Sequence, residues 1–132
     1  MDEIQIAIRI DTDIVAARQR GRMLAAKLGF NNTDATLIAT AISELARNII
    51  RYAIEGEIIL STLRKGGSSC IVVVARDKGP GIANVELAME MGYSTSGSLG
   101  IGLPGVKRLM DEFEIDSRPS SGTRVMIKKW KR

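Results

Sequence analysis

Between Glu57 and Arg76 two apolar runs, EIILSTLR and CIVVVAR, are separated by KGGSS. Runs rich in β-branched residues around paired glycines read as two strands and a hairpin turn. A hairpin forces its strands to run antiparallel. A second pair, at about Phe113–Ser117 and Thr123–Trp130, flanks RPSSG in the same way. Strands that arrive in hairpins predict a largely antiparallel sheet.

The rest of the pattern supplies one more strand and the helices. Ile4, Ile6, Ile8 and Ile10 alternate with other residues, the period of a half-buried strand. DTD (11–13) offers an N-cap for a helix over Ile14–Leu28, and Gly29 a stop. NNTD (31–34) caps a longer helix, about Thr33–Ala53, with an apolar stripe of Ile38, Ala41, Ile42, Leu45 and Ile49. Shorter helices are expected over Val85–Met91 and Leu103–Glu112, and DKGPG breaks the chain after Arg76. The predicted class is α+β: a two-layer sandwich, helices on one face of the sheet, in a single domain over residues 1–132.

Composition narrows the function classes. No apolar run is long enough to span a bilayer, and MDEIQIAIRI lacks the form of a signal peptide. With Cys70 alone no internal disulfide can form, so a cytoplasmic protein is expected, with Cys70 a core thiol rather than a nucleophile. The net charge is +4, and part of it sits in KKWKR (128–132). With Trp130 its one aromatic residue, in a chain only 4% aromatic, that run predicts a solvated strand end, not a nucleic-acid site.

STSGSLGIGLPG (94–105) contains a literal G-x-G-x-x-G at Gly100, Gly102 and Gly105. A dinucleotide fingerprint requires a buried strand just before it and an acidic residue about 20 positions on. Here MGYSTSGSL precedes it, and Thr123–Met126 lacks the acid. The companion motifs of eukaryotic-type kinases and the Walker lysine are missing as well. The loop nevertheless leads into a helix, and glycines there let backbone N–H groups approach a phosphate.

Three further constellations carry chemistry. Glu44 and Asn48 are one helical turn apart, on a face other than the apolar stripe. They suit a hard cation such as Mg2+, or a free general base, or a merely solvated helix face. Asp77 in DKGPG ends a strand; it caps its own turn or accepts a hydrogen bond from an amino group. Gly122 and Thr123 in SSGT stand at the entrance of the last strand.

Taken in order, these elements resemble the GHKL ATPase/kinase superfamily and its Bergerat ATP-binding fold. SELARN is similar to its N box, DKGPG to the G1 box, SLGIGLPG to the G2 box and SGT to a G3-like element. The resemblance implies a mixed, mainly antiparallel sheet. A chain without histidine cannot phosphorylate itself on one, and 132 residues leave no room for a transducer domain. The free-standing bacterial serine/threonine kinases that regulate by partner switching remain. DIVAARQ, AISELARNI and GLPGVKRLMDEF are similar to the stressosome switch kinases among them, and RNIIRYA departs from the anti-sigma pattern.

The resemblance assigns roles. Glu44 is the catalytic base and Asn48 the Mg2+ ligand. Asp77, Gly79, Gly81 and Thr123 hold adenine, and Gly100, Ile101, Gly102, Leu103 and Gly105 hold phosphate. A lid is expected over about Ala83–Leu99. The implied partners are STAS-domain scaffold or antagonist proteins and a downstream phosphatase or other output enzyme, with neither nucleic acid nor membrane. The alternative is an anti-sigma factor or a nucleotide-gated adaptor with little turnover.

Overall fold

The computed structural model describes residues 3–53, 55–81, 89, 101–118 and 120–131. In chain order the elements are β1 (Ile4–Ile8), α1 (Asp11–Lys27), α2 (Asn32–Ala53), β2 (Gly56–Lys65), β3 (Ser68–Asp77), α3 (Gly102–Leu109), β4 (Glu112–Arg118) and β5 (Gly122–Trp130). The five strands form one sheet in the order β1-β2-β3-β5-β4. All four pairings are antiparallel, so among the described residues the sheet shows no mixed component.

Local chemistry explains the joints. Gly66 and Gly67 both have positive φ (58° and 82°), as a two-residue hairpin turn between Lys65 and Ser68 requires. Gly29 (φ 93°) ends α1: its N–H bonds to the Ala26 carbonyl and that of Phe30 to the Ala25 carbonyl, a Schellman closure. Asn31 caps α2 by accepting from the Asp34 N–H at 2.7 Å.

Two boundaries differ from expectation. β1 stops at Ile8, and α1 already begins at Asp11, so DTD forms the first turn rather than preceding it. The Asp13 carboxylate accepts from the N–H groups of Arg9 (2.8 Å) and Ile10 (3.1 Å), which turns the chain out of the strand and leaves Ile10 61% exposed. Those same bonds hold the Asp13 carboxyl below the usual carboxylate range. α3 ends at Leu109 because Met110 is extended and the Asp111 N–H pairs with the Lys128 carbonyl (2.9 Å). Of the helix expected over 85–91 only Met89 is among the described residues; it packs against the core.

One face of the sheet carries the core. Ile8, Ile58, Leu60, Ile71, Val73, Ala75, Val125 and Ile127 are buried there against Ile38, Ile42, Leu45 and Ile49 of α2. All five residues of the anticipated α2 stripe are buried. α1 packs on α2 through Ala17, Gly21 and Ala25, a stripe of small residues. A Cβ on Gly21 would lie 2.1 Å from Ile42 Cδ1, which explains a glycine inside a helix. Cys70 is fully buried, and burial pushes its thiol up to about 11. The 128–131 stretch is committed to the fold. Lys129 Nζ donates to the Leu109 carbonyl at the end of α3 (3.0 Å), and Trp130 Nε1 to Glu112 (2.8 Å). No helix among the described residues is long and apolar enough to cross a membrane.

Two outcomes follow from this packing. Gly21→Ala should destabilise by about 1–3 kcal/mol in denaturant titrations, despite alanine's better helix propensity, because it overpacks the α1–α2 contact. Combining it with Ile42→Val should recover part of the loss. Asp13→Ala should lower the thermal midpoint at neutral pH. A carboxylate whose pKa is depressed by folding stabilises above its unfolded value of 3.8 and loses that effect as pH falls through the folded value. The two melting curves should therefore converge in acid.

Candidate functional site

Glu44 lies in the middle of α2 and is the one buried charged residue in the described chain, 5% exposed. The sequence placed it on a face apart from the apolar stripe; the fold covers that face with α3. Its two oxygens are divided between neighbours. Oε1 accepts from Arg47 Nη1 at 2.5 Å, one turn along the same helix. Oε2 accepts from the backbone N–H of Gly102, the first residue of α3, at 3.3 Å. Asn48 is half-buried one turn further along α2.

The phosphate-loop residues split. Gly100 lies outside the described residues, as does the lid expected over 83–99 apart from Met89. Gly102 has φ 66°, and that geometry is what turns its N–H toward Glu44. Leu103 is buried in the core, so any contact with a ligand falls to its backbone. Gly105 is required by packing: a Cβ there would lie 2.4 Å from Ile101 Cβ.

A second group forms around the end of β3. Asp77 faces the same side as Val73 and Ala75 and accepts from the Gly79 N–H at 2.8 Å, closing its own turn. Gly79 packs on the last turn of α2, where a Cβ would come 2.6 Å from Ala53 Cβ. Gly81 follows with φ 78°. Gly122 (φ 93°) sits so close that a Cβ would lie 2.1 Å from the Asp77 carbonyl oxygen. The Ser120 N–H bonds to the Pro80 carbonyl at 2.7 Å. The β4–β5 turn is thus seated on the Asp77 loop through backbone contacts. Thr123 stands one step past the Arg76–Arg124 pair, abreast of Asp77, with its hydroxyl 2.7 Å from that of Ser117.

The two groups are joined by α2. From Glu44 to Ala53 is nine residues, about 13 Å of helix rise. That separation suits an elongated ligand recognised at one end and reacting at the other. A divalent ion would lean on the ligand's own oxygens, because among the described residues no cluster of three His, Cys, Asp or Glu side chains exists. The fit for such an ion is a single amide oxygen, that of Asn48, beside an anionic ligand.

A cleft of about 830 Å³ at this end of the sheet belongs to the other face. Gln5, Ala7, Glu57, Arg76, Arg124 and Asp116 line it from alternate strand positions, those pointing away from the helices. It does not contain Glu44 or Asn48, but Asp77, Gly122 and Thr123 of the second group also line it. Arg47, Ser117 and the close approach of Gly122 were not legible as site features. SELARN shows an arginine three residues after a glutamate, which is a helical ion-pair spacing, and that was the available signal for Arg47.

Comparison with known proteins gives a consistent result. Residues 33–132 match the family model of the histidine kinase-, DNA gyrase B- and HSP90-like ATPases. The chain is 50% identical over 131 residues to the serine/threonine-protein kinase RsbT of Bacillus subtilis, covering 99% of this chain and 98% of that one. It is 35% identical over 97 residues to the anti-sigma F factor of Caldanaerobacter subterraneus, covering 70% and 68%. Among solved structures, the RsbU and RsbW domains of a Mycobacterium tuberculosis protein superpose with a TM-score of 0.67 at 17% identity, covering all of this chain and 33% of that one. The mycobacterial sensor histidine kinase MprB superposes with 0.55 at 15%, covering 99% and 97%.

The seating of the β4–β5 turn is open to test. Gly122→Ala should cost about 1–3 kcal/mol in chemical denaturation, from strain and from the clash with Asp77. Gly66→Ala, also at positive φ (58°) but with open space around it, should cost less. Only Gly122→Ala should also weaken binding of a fluorescent ATP analogue, because only it displaces Asp77.

Proposed function

The chain belongs to the histidine kinase-, DNA gyrase B- and HSP90-like ATPase family and is a serine/threonine protein kinase within it, and we propose that it works as a cytoplasmic partner-switching kinase. In this reading it phosphorylates a serine or threonine on a STAS-domain scaffold or antagonist in a stressosome-type assembly. It then leaves to activate an output enzyme such as a phosphatase. The observation that carries the reading is Glu44: a buried carboxylate with one oxygen fixed by Arg47 and the other turned toward the first N–H of the phosphate loop.

Placement supports the following roles. Asp77 presents a carboxylate, an acceptor-only group, to the adenine amino donor, with Thr123 beside it. The N–H groups at the start of α3, at Gly102 and Leu103, face phosphate oxygens, where the helix dipole favours negative charge. Gly79, Gly81, Ile101 and Gly105 shape the two loops so that backbone can approach. Asn48 would hold Mg2+, which when bound offsets negative charge on the phosphates. Oε2 of Glu44 accepts the proton of the incoming hydroxyl as its oxygen bonds to the γ-phosphorus. The bond to the β–γ bridging oxygen breaks, and ADP leaves. The new phosphate adds about −1.5 to −2 charge to the partner surface. Repulsion from carboxylates, and the cost of burying that charge, then separate the pair.

The anti-sigma F relatives support a second reading, a nucleotide-gated binding protein with little turnover. One assay separates the two. Incubation with γ-labelled ATP, Mg2+ and STAS-domain proteins encoded by neighbouring genes should place acid-stable label on a partner serine or threonine. Glu44→Ala should keep ATP-analogue binding and slow transfer by about 10²–10⁴-fold, the span of a lost general base. Binding without label in the wild type would favour the adaptor. Loss of binding in Glu44→Ala would remove Glu44 from the role of base.

A further inference from the structure

We propose that Arg47 is the positioning residue of Glu44, holding Oε1 so that Oε2 alone is left to take the proton. This inference rests on the reading of Glu44 as the base.

Three observations carry it. First, the two contacts differ in kind. The Arg47–Glu44 contact is a charge-assisted bond of 2.5 Å, whereas the Gly102 contact is a neutral N–H at 3.3 Å, past the usual range for a strong bond. A carboxylate held this way releases Oε2 far more readily than Oε1. Second, the pair is built for orientation. Arg47 stands three residues after Glu44 on one helix, its side chain 38% exposed while that of Glu44 is 7% exposed. The guanidinium therefore reaches in from the rim and fixes a carboxylate that packing alone would leave free to rotate about its last bond. A group that must meet a hydroxyl in line with a phosphate has to be held in one orientation.

Third, α3, which carries the Gly102 N–H, is anchored at its C-terminal end. Its C-terminal carbonyl at Leu109 accepts from Lys129 Nζ (3.0 Å), and the next segment is tied to β5 by the Asp111 N–H to Lys128 carbonyl bond (2.9 Å) and by Asp111 Oδ2, which accepts from the Trp130 N–H (2.7 Å). Its N-terminal turn starts on a glycine with φ 66°, and a Cβ there would touch only Pro104 Cδ, at 3.6 Å. Oε2 is therefore met by a backbone N–H carried on a separate element, while Oε1 is held within α2 itself.

The test uses the full chain, a STAS-domain protein as phosphoacceptor and a fluorescent ATP analogue. Single-turnover transfer from γ-labelled ATP is measured for the wild type, Arg47→Met, Arg47→Lys, Glu44→Gln and the double variant Glu44→Gln/Arg47→Met. Arg47→Met should slow transfer by about 10²-fold, the cost of a misplaced reacting group. Its dissociation constant for the analogue should change by less than about threefold, since the lost contact is not one of ground-state binding. Arg47→Lys, which keeps the charge and loses the planar fork, should recover part of the rate. In the Glu44→Gln background the loss of Arg47 should have no further effect, because a residue acting through another is silent once that other is gone.

Transfer by Arg47→Met at the wild-type rate would overturn the inference and leave the kinase reading standing. So would a further slowing in the Glu44→Gln background, or weakened analogue binding in parallel with the rate, either of which would put Arg47 on the phosphates themselves. Analogue binding and the Arg47→Lys variant together guard against a loss of fold being read as a loss of positioning. Absence of transfer by the wild type to any acceptor would overturn the kinase reading and this inference with it.

Discussion

The seating of α2 on the sheet is the contact on which the rest depends. Ile38, Ile42, Leu45 and Ile49 press on Ile58, Leu60, Ile71, Val73 and Ile127, and burying side chains of this size is worth about 1.5–3 kcal/mol each. α1 closes over α2 through small residues, and α3 crosses it at Glu44. With α2 held on three sides, the polar positions between its apolar ones lose the freedom of a surface helix. Glu44 is buried because α3 covers it. Asp77 is fixed because Gly79 rests on Ala53 and Gly122 rests on Asp77. One helix thus sets the distance between the Glu44 group and the Asp77 group.

Placing a carboxylate inside such a contact has a cost, and the fold offsets it locally. An unpaired buried charge loses several kcal/mol of hydration. Arg47 supplies a counter-charge from the rim, where its own hydration is largely kept, and the Gly102 N–H satisfies the remaining oxygen. A partner wholly buried would have incurred the penalty twice. A partner wholly exposed would have been screened to little effect. The half-exposed position of Arg47 therefore serves stability as well as orientation.

What was legible in the sequence was local. Gly66–Gly67 marks a turn, Gly29 a helix end and Ile38–Ile49 an apolar stripe, because each feature is complete within a few residues and the physics that reads it is short-ranged. The motifs also revealed which residues would gather, since Glu44, Asp77, Gly102 and Thr123 all lie around α2 or the strand ends that flank it. The misreadings share the opposite property. Ile10 continued the alternation of β1, but the Asp13 carboxylate captures the backbone just before it. The reason for a glycine inside α1, Ile42 beside Gly21, is likewise 21 residues away. The face carrying Glu44 looked like solvent because its cover, Gly102, is 58 residues away. In each case the deciding partner is distant in sequence or acts through backbone groups that residue identity does not announce.

The basic stretch near the end of the sequence follows the same logic and shows how function constrains it. Read as charge, KKWKR is a patch that invites an anionic partner. In the fold Lys128 approaches Glu112 (3.8 Å), Lys129 closes the C-terminus of α3 and Trp130 bonds to Glu112. A cation at a helix C-terminus is favoured by the dipole and satisfies a carbonyl that the helix cannot. Here it also fixes the far end of the helix whose near end meets Glu44. Strand β5 therefore enters this region twice, through Thr123 beside Asp77 and, six residues later, through the lysine that holds α3 in place.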